Sequence, residues 1–172
     1  ASAVASSQIE TVIVTSSFRS VELQQAPLSV SVFSADIIKK RNALHLEQLL
    51  AMAPNVNFSS GTSRARYFQI RGIGERGQFV EPINPSVGII IDDVDFTGMG
   101  SAGTLFDIQQ VEVLRGPQGT RYGANALAGI IAMQSQPPTE EFEGYVEGQI
   151  AEYDTYSLGA AVGGPISEQL LY

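Results

Sequence analysis

A glycine-rich segment is the first candidate for chemistry. Residues 72–77 match the pattern G-x-G-x-x-G, which binds dinucleotide cofactors, and they follow a predicted strand. That mechanism needs a helix to begin at the glycines, so that its N-terminus meets the pyrophosphate. Pro82 and Pro85 follow without helical periodicity, so we expect these glycines to form turns or close contacts. A nucleotide-dependent oxidoreductase is therefore disfavoured.

A second candidate is the acidic group Asp92, Asp93 and Asp95, because hard cations prefer carboxylate ligands. The spacing matches no EF-hand loop, and the first two lie at the turn of a predicted hairpin, so we expect solvated turn acids. The chain has no cysteine and one histidine, His45, which leaves almost no material for thiol chemistry, a zinc site or a Ser-His-Asp triad. We expect His45 to be an ordinary helix residue. The sequence predicts no enzyme, no metal site and no cofactor.

A third candidate is the bend over residues 115–123, which is fixed by Pro117 and three glycines. Glu112 and Arg115 end the strand that precedes it, and charges of this kind need partners when they are buried. One interpretation is a salt bridge at the end of the strand. The other, which we prefer, is that Arg115 meets an acid on another element.

Short strands and two short helices must position these groups. A strand over residues 27–33 leads into a helix capped by Ser34, with an acid in its first turn and three basic residues in its last. A second helix has the three leucines of residues 46–50 on one face and is stopped by Pro54. Long loops rich in glycine and proline separate the later strands, and the absence of a regular βαβ rhythm predicts a small α+β domain. Those later strands are predicted at residues 67–71, 87–91, 94–96, 110–114 and 130–133.

The N-terminal 26 residues are rich in Ser, Ala and Gln, which predicts a flexible arm. Within it, residues 10–15 form a patch that favours an extended backbone. This patch is either part of a disordered tail or an edge strand, or it is a docking strand that adds to the sheet of another protein.

The composition changes near Pro137. Residues 1–136 hold all ten basic residues and eleven of the eighteen acids, a net charge of −1, whereas residues 137–172 hold seven acids and no base, a net charge of −7. Neither part is basic, which argues against a nucleic-acid partner, and the chain has no apolar run long enough for a transmembrane helix.

Dyad alternation of apolar and polar residues begins at Phe142 and continues to residue 162. Strands of this kind are typical of outer-membrane barrels, although a soluble antiparallel hairpin alternates in the same way. Two strands cannot close a barrel, because closed transmembrane barrels need at least eight. On its own, the hairpin would leave its backbone edges unpaired and its apolar face uncovered.

In their order along the chain, these segments resemble the plug domain and first barrel strands of TonB-dependent outer-membrane receptors. Residues 10–15 are similar to a TonB box. The other segments that carry the resemblance are residues 27–33, 49–57, 68–72, 87–93 and 111–126, the last of which contains Val-Glu-Val-Leu-Arg-Gly-Pro.

The resemblance implies an α+β plug with a mixed four-stranded sheet and short helices, which fills a transmembrane β-barrel of about 22 strands. The chain holds only the first antiparallel hairpin of that barrel, so it would be the first part of a longer protein. The implied layout is a periplasmic arm with the TonB box at residues 1–26, the plug at 27–137 and the first barrel strands at 138–172.

The resemblance also implies roles for individual residues. Arg71 and Arg115, together with Glu112, would form a charge cluster between the plug and acids of the barrel wall. Three apical loops, residues 59–66, 74–85 and 98–103, would touch the cargo. The docking strand for TonB would be Glu10, Thr11, Val12, Ile13, Val14 and Thr15, and the candidate cargo residues are Arg64, Arg66, Tyr67, Arg76, Gln78, Phe79 and Met99.

The implied function is gated, TonB-dependent uptake of a scarce nutrient across the outer membrane of a Gram-negative bacterium. The favoured cargo is a ferric siderophore, with cobalamin, haem or an oligosaccharide as alternatives. The implied partners are the C-terminal domain of TonB, the chain's own barrel, the cargo and the membrane. The alternative is a stand-alone soluble module that keeps the plug fold for binding or interaction.

Overall fold

Short strands dominate the structure. A computed structural model of the chain describes residues 12–15, 21–60, 64–77, 79, 81–152, 155–167 and 170–171. Its strands are β1 (Ile13–Val14), β2 (Val21–Glu22), β3 (Ser29–Ser34), β4 (Val56–Phe58), β5 (Phe68–Ile70), β6 (Val87–Ile91), β7 (Val94–Asp95), β8 (Ile108–Arg115), β9 (Gly129–Ser135), β10 (Glu143–Ala151), β11 (Thr155–Gly163), β12 (Pro165–Ser167) and β13 (Leu170–Leu171). Its helices are α1 (Ala35–Arg41), α2 (Leu46–Leu50) and α3 (Gly119–Tyr122), with single 3₁₀ turns at Leu23–Gln25, Gly100–Ala102 and Gly123–Asn125. Within these residues, no helix has the length and apolar character needed to cross a membrane.

A mixed sheet forms the centre of the molecule, in the order β3-β8-β9-β6-β7. Strands β6 and β9 are parallel, and the other neighbours are antiparallel. The predicted mixed sheet with short helices is confirmed, but the sheet has five strands instead of four. The extra edge strand is β7, which Asp92 and Asp93 fold back onto β6 with φ angles of 47° and 65°, as a tight hairpin turn requires.

The sheet has a hydrophobic core on each face, because successive side chains of a strand point to opposite sides. The larger core joins Val111, Val113 and Ile131 of the sheet to buried residues of α1, α2, β4 and β5. The smaller core joins Leu114 and Ile130 to Ala126, with Leu28, Val30 and Tyr122 packed against it. Each face of β8 therefore meets a different part of the chain.

The predicted helix boundaries agree with the structure at α1 and α2. Ser34 is the N-cap residue of α1 with an extended backbone, although its side chain makes no capping hydrogen bond, and Asn42 ends the helix in the left-handed conformation at φ 52°. Helix α2 ends at Leu50, shortly before Pro54. Helix α3 lies where the sequence predicts only a bend, and it spans a single turn.

The glycine-rich segment forms a turn and a close contact, as expected. Gly72 has a φ of 79°, and a Cβ atom at Gly74 would lie 2.3 Å from the carbonyl oxygen of Phe68. No helix begins at residues 72–77. The geometry that a dinucleotide pyrophosphate needs is therefore lacking at this segment.

Strands β10 and β11 form a regular antiparallel hairpin from the pair Glu143 and Gly163 to the pair Ala151 and Thr155. The apolar residues of the two strands share one face, as predicted. This face is open to its surroundings: Val146 is 74% exposed, Ile150 91% and Leu158 81%.

Candidate functional site

Residues 12–15 of the predicted docking strand lie against the central sheet, where Thr15 meets Glu112. The backbone N–H and the hydroxyl of Thr15 both donate to Oε1 of Glu112, at 2.7 and 2.8 Å. Glu112 is only 1% exposed. Gln110 lies two residues away on the same face of β8, and its side-chain amide donates to the carbonyl oxygen of Ile13, the hydroxyl of Thr15 and the carboxylate of Glu112. A buried carboxylate thus holds the arm through several hydrogen bonds.

The arm also forms a small sheet of its own. Strand β1 pairs with β2 through Ile13 with Glu22 and Val14 with Val21. Val14 is fully buried and Ile13 is 46% exposed, so the two side chains point in opposite directions. Residues 12–15, which contain β1, therefore lie against the sheet, and Glu10 and Thr11 lie outside the described residues.

Arg115 is buried on the opposite face of β8. Its Nε atom donates to the carbonyl oxygen of Pro54 at 3.0 Å, and Nη2 donates to the hydroxyl of Ser31 at 2.9 Å. Burial lowers the pKa of Arg115, and the nearby charge of Arg71 lowers it further. In the part of the chain that the structure describes, neither arginine forms an ion pair with a carboxylate.

Glu112 and Arg115 do not meet, although the predicted charge cluster contains both. They lie three positions apart on a regular strand, and an odd separation places two side chains on opposite faces. Arg71 and Arg115 do come together, because the backbone N–H of Arg71 donates to Asn55 O beside the Pro54 carbonyl that binds Arg115. Arg71 and Arg115 thus lie close together, whereas Glu112 binds the arm on the other face of β8, and a contact of the arginines with the barrel wall stays a prediction.

The three apical loops contact one another through Arg66. Its Nε atom donates to the carbonyl oxygen of Gly98 at 2.8 Å, and its guanidinium lies 3.3 Å from Glu81. The guanidinium also stacks over the ring of Tyr67, 5.4 Å from the centroid. Arg66 therefore connects the loops 59–66, 74–85 and 98–103 into one cluster.

The other candidate cargo residues differ in exposure. Phe79 is 93% exposed and Met99 54%, whereas Tyr67 is 4% exposed and lies beneath the loops. Arg76 is exposed, and its carbonyl oxygen accepts a hydrogen bond from Ser59. Arg64 lies within 3.4 Å of Glu47. Gln78 lies outside the described residues.

The sequence prediction missed two residues that support these loops, His45 and Glu47. His45 is the N-cap residue of α2, where its Nδ1 atom accepts from the N–H of Glu47 and its Nε2 atom lies 3.0 Å from the carbonyl oxygen of Gly100. Burial lowers the pKa of His45, and the charge of Arg64 adds to that effect, so the neutral ring is favoured. The carboxylate of Glu47 accepts from the backbone N–H of Ala65. A capping signal was available in the sequence, because Gln48 follows His45 at the spacing of a capping box.

The three acids at the β6–β7 turn are exposed, as expected, and each accepts from a different group. Asp92 accepts from the N–H and hydroxyl of Ser135, Asp93 lies 3.4 Å from Arg121, and Asp95 accepts from Asn125 at 2.8 Å. Their bonds fasten the turn to neighbouring elements. Within the described residues, no three acidic or histidine side chains come together as metal ligands.

The family of the chain follows from a comparison with known proteins. A family model described as TonB-dependent Receptor Plug Domain matches residues 22–130. The chain belongs to this family. The matched residues include the central sheet up to the start of β9. They also include the buried Glu112 and Arg115 of β8 and all three apical loops.

Two known proteins are similar in sequence to this chain over most of the chain's length. The pesticin receptor of Yersinia pestis is 34% identical over 164 residues, which cover 94% of this chain and 24% of that receptor. The iron-regulated outer membrane virulence protein of Vibrio cholerae is 28% identical over 171 residues, covering 94% of this chain and 26% of that protein. The chain therefore spans about a quarter of the length of these relatives.

Solved receptor structures share the fold of this chain. The ferric yersiniabactin uptake receptor FyuA from Yersinia pestis matches with a TM-score of 0.70 and 32% identity, over 83% of this chain and 22% of that one. The ferripyoverdine receptor of Pseudomonas aeruginosa, bound to ferripyoverdine, matches with a TM-score of 0.73 and 21% identity, over 91% of this chain and 20% of that one.

The hairpin β10–β11 packs against the plug through its less apolar face. The hydroxyl of Tyr145 donates to Asp107 at 2.9 Å, and the rings of Tyr145 and Phe106 lie 6.0 Å apart. A Cβ atom at Gly159 would lie 2.3 Å from the Phe106 ring, so only glycine allows this approach. The plug therefore contacts one face of the hairpin, and the exposed apolar face points away from it.

Proposed function

We propose that this chain is the plug region of a TonB-dependent outer-membrane receptor that gates the uptake of a ferric siderophore. The observation that carries the proposal is the 32% identity with FyuA, which is named as a ferric yersiniabactin uptake receptor. The pesticin receptor and the iron-regulated virulence protein support it as relatives of the same kind. The proposed role is binding and gating, and it involves no enzyme activity, resident cofactor or nucleic acid.

The proposed layout follows the segments of the chain. Residues 1–26 form the periplasmic arm, residues 27–137 the plug, and residues 138–172 the first strands of a barrel in the outer membrane. The change of net charge near Pro137 supports the second boundary. The loop cluster around Arg66 faces the outside and binds cargo.

The exposed face of the hairpin favours a membrane receptor over a stand-alone soluble module. Val146, Ile150 and Leu158 are each more than 70% exposed and lie on the same face. A contiguous apolar patch of this kind is unfavourable in water, whereas lipid or further strands would cover it.

Two partners complete the proposal. Residues 10–15 pair as a strand with the C-terminal domain of TonB, because an extended segment with alternating side chains suits addition to a sheet edge. Arg71 and Arg115 meet acidic residues of the barrel wall, which would supply the ionic partners that the described residues lack.

The proposal is tested by iron uptake through the receptor that contains this chain. The receptor is expressed in a Gram-negative host without its own siderophore receptors, and ferric yersiniabactin, ferric enterobactin and ferripyoverdine are supplied as separate iron sources. We expect uptake of labelled iron from at least one of them, and loss of that uptake when TonB is deleted.

Variants of the arm sharpen the test. Ile13→Pro removes a backbone N–H and should abolish uptake, whereas the matched control Ile13→Val keeps an extended backbone and should retain it. Uptake that persists without TonB would contradict energy coupling through the arm. A receptor that reaches the outer membrane yet imports none of the three complexes would contradict the siderophore assignment.

A further inference from the structure

Two apical loops are fastened to the same short helix by two side chains outside the loops. Glu47 accepts a hydrogen bond from the backbone N–H of Ala65 and lies 3.4 Å from Arg64, both at the end of the loop 59–66. His45 contacts the carbonyl oxygen of Gly100 in the loop 98–103 through Nε2. The loop 98–103 is also fixed by the N–H of Leu46, which donates to the carbonyl oxygen of Gly103 at 2.7 Å.

The helix itself is a rigid anchor. Leu46, Leu49 and Leu50 are each at most 1% exposed and belong to the larger core. Displacing α2 would open that core, so the helix holds its place while exposed loops can move. A side chain that joins a loop to α2 thus joins it to the centre of the plug.

The two loops also touch each other where they are fastened. A Cβ atom at Gly100 would lie 2.8 Å from the carbonyl oxygen of Ala65, and one at Gly103 would lie 2.9 Å from the ring of His45. Both sites require glycine in the present arrangement. Because the backbones are this close, a shift of one loop changes the position of the other.

From these contacts we propose that His45 and Glu47 are positioning residues, which hold residues 64–65 and the loop 98–103 in the arrangement that binds cargo. The proposal rests on the proposed function for its cargo. Its geometric part, that the two side chains restrain the loops, stands on the contacts alone. Neither residue needs to touch the cargo for its loss to weaken binding.

The two bonds of His45 can be separated by substitution. His45→Asn keeps a side chain that caps helices well, but asparagine is too short to reach Gly100 from the N-cap position. Gln48→Ala is the matched control, because Gln48 accepts from the N–H groups of Leu44 and His45 and makes no contact with either loop among the described bonds. For the other loop, Glu47→Ala removes both acceptors, and Glu47→Gln keeps an oxygen for Ala65.

Amide hydrogen exchange in the full chain tests the restraint. Loss of one buried hydrogen bond should speed exchange in residues 98–104 about tenfold in His45→Asn, and exchange around residues 64–67 by a similar factor in Glu47→Ala. Glu47→Gln should restore most of the protection, and Gln48→Ala should leave both loops protected. Unchanged exchange in His45→Asn, or equal acceleration in Gln48→Ala, would overturn the proposal.

Binding of ferric yersiniabactin, ferric enterobactin and ferripyoverdine to the receptor that contains this chain tests the link to cargo. With whichever complex the unaltered receptor binds, His45→Asn and Glu47→Ala should raise Kd several-fold while the receptor remains folded. Faster loop exchange with an unchanged Kd would overturn the positioning role. If the unaltered receptor binds none of the three, the siderophore function fails, and the exchange measurements still decide whether the two side chains restrain the loops.

Discussion

Glu112 and Arg115 lie on the same strand and are both buried, yet their surroundings differ. Glu112 accepts hydrogen bonds from Thr15 and Gln110, so its charge is stabilised by groups of this chain. Arg115 donates to two neutral oxygens and lies near the like charge of Arg71. The two faces of β8 therefore differ: one binds the arm, and the other holds a buried positive charge, for which we propose an ionic partner on the barrel wall.

The largest expected change in the free energy of unfolding is at Glu112. Glu112→Ala removes the buried acceptor of both the N–H and the hydroxyl of Thr15, which should lower the free energy of unfolding by about 3 kcal/mol. Urea unfolding of the full chain measures it. Glu22→Ala removes an exposed acid of strand β2 within the arm; it is the matched control and should change stability by less than about 0.5 kcal/mol. Equal losses in the two variants would remove the special role of the buried carboxylate.

A smaller effect is expected at Arg115. Arg115→Met gives up two hydrogen bonds but also removes a buried charge that has no ionic partner in the described residues, so stability of this chain should change by about 1 kcal/mol or less. The same unfolding experiment checks it. In the receptor that contains the chain, the change should instead weaken retention of the plug. A loss as large as that of Glu112→Ala in the isolated chain would erase the contrast between the two faces.

Thr15→Val tests the hydroxyl contribution to the arm contact. The substitution keeps the shape of the side chain and the backbone N–H, so only the bonds of the hydroxyl to Glu112 and Gln110 are lost, at a cost of about 1 kcal/mol. Amide exchange at residues 12–15 should become about fivefold faster. Thr15→Ser retains the hydroxyl and should behave like the original chain, and failure of serine to do so would assign the effect to packing.

The smallest effect on stability is expected at Asp95, an exposed acid with which the effect of the buried Glu112 can be compared. Burial alone would raise the pKa of Asp95, but hydrogen bonds from Thr97 and Asn125 outweigh it and lower the pKa below its ordinary value. The resulting stabilisation is present above the ordinary carboxyl pKa and is lost as the pH falls through the lowered value. Asp95→Asn should therefore slightly flatten the acid limb of the stability curve, and a steeper limb would contradict the direction of the shift.

The parts of the fold that the sequence predicts correctly are those set by residues that are neighbours along the chain. The strand at residues 87–91, the turn acids Asp92 and Asp93 and the capping position of Ser34 depend on neighbours along the chain, and each prediction agrees with the structure. The two faces of the β10–β11 hairpin are predictable for the same reason. Strand β7 is predicted at residues 94–96 and lies at Val94–Asp95; the number of strands in the sheet differs, because the resemblance implies four and the structure has five.

The candidate site is harder to predict because its contacts join distant segments. Thr15 and Glu112 are separated by 97 positions, and no local pattern links them. The odd spacing between Glu112 and Arg115, by contrast, is visible in the sequence, and it places the two side chains on opposite faces of β8. His45 illustrates the opposite case: its capping role is local and predictable, whereas its bond to Gly100 spans 55 positions and is visible only in the folded chain.

The hydrogen bonds between Thr15 and Glu112 have a thermodynamic consequence for any partner that binds the arm. A free peptide that copies residues 10–15 has no bonds to the sheet, whereas the intact arm must first exchange those of Thr15 and Ile13 for the new ones. The apparent affinity of the intact chain is then reduced by the fraction of molecules whose arm is undocked. Affinities measured with the peptide therefore set an upper limit, and the gap between peptide and intact chain measures how firmly the sheet holds the arm.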